Sequence, residues 1–117
     1  MRSVGIFGIL ITWAVTSSAA GLQEVHIGLA SNFSEVSTGS SNPYGAYFKD
    51  GVTLALKSAE SRLKAKGLVV RTQDFDYGTS DIKVLEATKK AIASNVIAVL
   101  GYNYSSNALL AAPLHHE

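Results

Sequence analysis

The chain contains no cysteine, and its ten lysines and arginines are nearly matched by nine aspartates and glutamates. Without cysteine there is neither a disulfide framework nor a zinc-finger spacing, and 117 residues suit one small domain. A formal charge of +1, carried by Arg2 in the first segment, leaves no basic face for nucleic acid. Nucleotide motifs are missing as well. The stretch Ala30-Ser31-Asn32-Phe33-Ser34 lacks the glycines of G-x-G-x-x-G, and no G-x-x-x-x-G-K-[ST] occurs. There is no G-x-S-x-G elbow, and no histidine is placed by the pattern as a base for Ser105 or Ser106, so hydrolase chemistry is not expected.

What is present begins with a targeting signal. Arg2 precedes an apolar run from Val4 to Val15, followed by small residues to Ala20, with Ser18 and Ala20 in the small-x-small arrangement cut by signal peptidases. The run is shorter than the roughly 20 residues that span a bilayer. No cysteine stands at the cut, which excludes a lipid anchor there. The expectation is a leader over 1–20, a mature chain from Gly21, and a periplasmic or extracellular location.

From Glu24 strand and helix signals alternate. Val25, Ile27 and Leu29 at period two predict a first strand over Glu24 to Ala30, with His26 packed or edge-facing rather than a metal ligand. A long serine-rich loop from Ser31 to Asn42 follows, of a length that is often functional. Asn42-Pro43 reads as a cap and first helical position for a helix to about Lys66. Its inner face is expected to hold Phe48, Val52, Ala55, Leu56, Ala59 and Leu63, with Gly51 also buried, a Glu60–Lys64 pair, and Gly67 as left-handed end.

Leu68 to Asp74 reads as a second strand, with Asp74-Phe75-Asp76 at its carboxyl end as turn-capping residues rather than a metal or acid-base pair. Thr79 or Ser80 opens a second helix with Asp81 in its first turn and Val84, Leu85, Thr88, Ala91 and Ile92 facing inward; Asn95 is a left-handed end. Five apolar residues, Val96 to Leu100, predict a strand covered on both faces. It stops at Gly101 and opens into Tyr102-Asn103-Tyr104, with Ser105, Ser106 or Asn107 capping a third helix from Ala108 that Pro113 kinks or delimits. His115-His116-Glu117 has no metal spacing, since adjacent helical residues point apart.

Strand–helix alternation implies an α/β fold with a parallel sheet of order 2-1-3, flanked by helices. In such sheets ligands sit beyond the carboxyl ends where the order switches, here between strands one and three. The 31–44 and 101–107 loops are therefore expected to face each other across one crevice, where helix-start N–H groups and hydroxyls suit a carboxylate.

Taken together, the leader, Pro43-Tyr44-Gly45, Gly51-Val52, Asp74-Phe75-Asp76 and Gly101-Tyr102-Asn103-Tyr104-Ser105-Ser106 resemble the amino-terminal part of a branched-chain amino acid (Leu/Ile/Val) binding protein. That family comprises the type I periplasmic solute-binding proteins of ABC importers. The resemblance implies that residues 21–117 are an incomplete first lobe of a non-enzymatic binding protein without a cofactor, partnered by an importer permease. It also implies a small-molecule ligand, an amino acid or similar, whose carboxylate is held by Ser105, with Ser106, Asn107 and Tyr104 beside it and Tyr44 against it from the other loop. Tyr102 and Tyr104 are open between lining the pocket and packing at its rim. The alternatives are the ligand-binding ectodomain of a membrane sensor sharing the fold, and a small flavodoxin-like enzyme.

Overall fold

The computed structural model describes residues 21–35 and 43–116; the expected leader 1–20, the part of the serine-rich loop that includes Asn42, and Glu117 lie outside them. The described elements are β1 (Gln23–Ser31), a short 3-10 turn (Phe33–Glu35), α1 (Tyr44–Ala65), β2 (Leu68–Asp76), α2 (Asp81–Ile92), β3 (Val96–Gly101) and α3 (Ser105–His115). The three strands form one parallel sheet in the order β2-β1-β3. This is the α/β architecture read from the sequence, with the first strand central.

Opposite walks explain where the helices lie. From β1 to β2 the chain moves one way across the sheet and from β2 to β3 the other, so right-handed crossovers place α1 and α2 on opposite faces. On the α2 face Ala30, Phe75 and Tyr77 meet Val84, Ala87 and Ala91 of α2 and Ala111 of α3, with Val96, Val99, Tyr102 and Leu110 packed around them. Leu29 points the other way along β1 and is only 1% exposed.

The α1 face is less complete. Leu100 is the register partner of Leu29 and shares its face, yet it is 44% exposed, and Ile97, beside the register shift at His26/Ile27, is 73% exposed. β3 is therefore covered on one face, not on both as its five apolar residues suggested. Among the described residues α1 makes its main strand contacts with β2 and, to a lesser extent, β1.

Several local expectations are corrected in the same way. Gly51, Ala55 and Ile92 are exposed rather than buried, because each helix touches the sheet along a narrower stripe than its apolar pattern spans. Pro43 is the N-cap of α1, one position earlier in the helix numbering than expected. Gly67 does end that helix left-handed, with φ of +74° and its N–H donating to Lys64 O at 2.9 Å. Glu60 and Lys64 pair at 2.6 Å, and the cation holds the Glu60 carboxyl below its ordinary value. Ser80 caps α2 by accepting from Lys83 N at 3.2 Å. Asn95 is not left-handed; α2 ends instead at Ala93 in right-handed conformation, and Ser94 Oγ donates to Ala91 O at 2.6 Å.

Candidate functional site

Parallel register brings Ser31, Asp76 and Gly101 to one rim of the sheet, since Ser31 pairs with Asp76 and Ala30 with Gly101. The turn after β3 is built on a close approach. Gly101 has φ of +143°, and a Cβ there would stand 2.0 Å from Ala30 O, so no other residue fits. Tyr102 follows with φ of 62°, the one non-glycine positive φ among the described residues, and its N–H donates to Ala30 O at 2.9 Å.

Beyond that bend the two crevice turns are tied together. Asn103 Nδ2 donates to Ser31 Oγ at 2.8 Å and to Asn32 Oδ1 at 3.0 Å, while Ser31 Oγ donates to Asn32 Oδ1 at 3.3 Å. Ser31 and Asn32 are fully buried, so this exchange satisfies polar atoms that would otherwise be costly to desolvate. Gly45 completes the joint from α1, because a Cβ there would lie 2.8 Å from Asn32 O.

Tyr102 is a half-buried strut beneath the turn, lining a recess with Ala108, Ala112, His115 and His116 on the α3 side. Its ring stacks on Tyr77 at 6.1 Å, and its hydroxyl lies 2.9 Å from both Thr88 Oγ1 and His115 Nε2. Burial pushes the Tyr102 phenol above its usual value. Tyr77 OH accepts from Asn103 N at 3.0 Å, so two tyrosines under the rim support the turn. None of Asn103, Tyr77 and Thr88 was assigned a site role from the sequence. The asparagine two residues past the strand-ending glycine was the signal available.

Of the residues expected to bind ligand, Tyr44 and Tyr104 line a common open recess of about 560 Å³, together with Tyr47, Phe48 and Asn103. Ser106, Asn107 and Tyr104 line a second of about 340 Å³ with Gly78, Thr79 and Asp81. Tyr104 is shared by both. Ser105 lines neither. The expectation that Ser105, Ser106 or Asn107 caps α3 is corrected: Tyr104 is the N-cap, without a side-chain capping bond, and the helix opens at Ser105 rather than Ala108. The serines thus occupy the first turn, whose N–H groups carry the positive end of the helix dipole.

The turn-capping expectation holds for Asp76 and is corrected for Asp74, because β2 runs on to Asp76 and leaves Asp74 inside the strand. Asp74 pairs with Lys49, which also lies 5.7 Å over the Phe33 ring. Asp76 Oδ1 accepts from Gly78 N at 3.1 Å and Ser34 N at 3.2 Å, tying the segment after β1 to the end of β2. Partial burial opposes its ionisation, but these amide donors outweigh it and hold the carboxyl below its ordinary value. His26 lies on the central strand, between Arg71 of β2 and Val96 of β3, half-buried and 3.0 Å from Glu24, and among the described residues no cluster of three histidines and carboxylates could hold a metal ion.

Comparison with protein-family models, with curated proteins and with solved structures finds no match to this chain.

Proposed function

We propose that the chain is an extracytoplasmic solute-binding protein, or part of one, that captures an amino acid or similar small zwitterion at the carboxyl rim of its sheet for delivery to an importer. The observation that carries this reading is the joint made by Asn103 with Ser31 and Asn32, which holds the turns after β1 and β3 at one rim and sets an aromatic recess beside a polar one. On this reading the first turn of α3, with Ser105 and Ser106, holds the ligand carboxylate. Asp81 lines the polar recess beside Ser106 and gives an ammonium group its counter-charge. Tyr44, Tyr47 and Phe48 line the aromatic recess, which suits an apolar portion of the ligand. No step of bond making is involved, and export by a cleaved leader over 1–20 belongs to the same proposal.

Titration calorimetry of the protein with a panel of free amino acids tests it. Binding of at least one free amino acid, and none of its N-acetylated or carboxamide forms, is the expected result. Absence of heat across the panel sinks the proposal. Ser105→Ala is expected to weaken binding by about 1–3 kcal/mol through loss of a hydroxyl hydrogen bond to the ligand carboxylate, and an unchanged affinity removes Ser105 from the site.

A further inference from the structure

The hydroxyl of Tyr102 sits between two partners, and counting protons fixes which way each bond runs. Thr88 Oγ1 lies 2.7 Å from Val84 O, one helical turn back, and a carbonyl can only accept, so the single Thr88 proton is spent there. At 2.9 Å from Thr88 Oγ1, the Tyr102 hydroxyl must then be the donor. Its own proton is spent in turn, and His115 Nε2, 2.9 Å away, can approach the phenol oxygen only as a donor. The chain runs one way, from His115 Nε2–H to Tyr102, from Tyr102 to Thr88, and from Thr88 to Val84 O.

We propose that His115 is a positioning residue for the turn after β3: as an obligate Nε2 donor it closes this chain, holds Tyr102 in its left-handed conformation, and thereby sets where Asn103 and Tyr104 stand at the rim. The geometry beyond the hydrogen bonds agrees. The imidazole stands at the hydroxyl end of the Tyr102 ring, 6.0 Å between centroids and inclined at 69°, while Tyr77 stacks on that ring at 6.1 Å. α2 and α3 reach the turn through the same oxygen, Thr88 from one and His115 from the other. His115 is not a member of the buried cluster around Ala111, so replacing the imidazole removes one of these two holds without deleting a core side chain. The proposal rests on the solute-binding reading only in calling the rim a ligand site.

Long-range ¹H–¹⁵N spectra of the histidine rings in the full chain, recorded where imidazole is neutral and assigned with His116→Gln, test it without any ligand. The expected His115 ring is wholly Nε2–H, and Tyr102→Phe returns it to the mixed tautomers of an exposed imidazole. His115→Ala is expected to shift the Asn103 and Tyr104 amide resonances, and His115→Gln, which places an amide donor near the Nε2 position, to restore them. An Nδ1–H ring, a tautomer indifferent to Tyr102→Phe, or amide resonances that stay in place in His115→Ala would each overturn the proposal. Should His115→Ala fail to fold, the tautomer of the unaltered chain and the glutamine variant decide alone. Calorimetry with amino acids judges the solute-binding reading separately, so the two can fail independently.

Discussion

At the scale of single residues the rim depends on positions that tolerate almost nothing. Gly101→Ala would drive a methyl group into Ala30 O, 2.0 Å from the Cβ position, at a φ of +143° that side chains avoid. A stability loss of at least about 2 kcal/mol is expected, read as a fall in the urea midpoint. Asp76 carries a pH signature. Its carboxyl is depressed in the folded state, so its contribution is present above the unfolded carboxylate value and is lost as pH falls through the lower, folded value. Urea unfolding as a function of pH should therefore show an acid limb that Asp76→Asn flattens; an unaltered limb would mean that the Ser34 and Gly78 amides do not favour the charged form. Tyr102→Phe keeps the Tyr77 stack but deletes the hydroxyl shared by Thr88 and His115, and about 0.5–1.5 kcal/mol of destabilisation is expected by the same measurement.

At the scale of elements, periodicity and punctuation carried most of the fold. Val25, Ile27 and Leu29, the Gly67 stop and the Ser80 cap are local signals, satisfied within a few residues, and the structure bears them out. The misread features depend on neighbours that sequence does not display. An apolar run such as Val96 to Leu100 is the same string whether one face or two are covered, and Gly51 reads as buried from a helical pattern broader than the actual contact. In the candidate site the meeting of the two turns was legible from strand order. The role of Asn103 was not, because its partners lie more than seventy residues away in the chain. The asymmetry of β3 yields a prediction: Ile97→Thr should change stability by less than about 0.5 kcal/mol and lower the tendency to aggregate. Val84→Ala, at 1% exposure in the packed face, should cost about 1.5–3 kcal/mol. Equal costs at the two positions in chemical unfolding would show that Ile97 has a cover in solution.

For the molecule as a whole the two faces of the sheet are unequal in strength. The α2 and α3 face holds a contiguous buried cluster, whereas α1 buries Gly45 alone among its 22 residues and otherwise rests on half-covered side chains. Amide exchange is accordingly expected to be fastest in the middle and carboxyl half of α1 and slowest in β1 and α2; uniform protection would mean that the two faces open as one unit. The distribution of phenols has a further, optical consequence. All five tyrosines stand at one end of the sheet, three around the aromatic recess and two stacked beneath it, while the lone indole is Trp13. In a chain beginning at Gly21 the intrinsic ultraviolet emission would arise from the phenols at that end and would report changes in their surroundings alone.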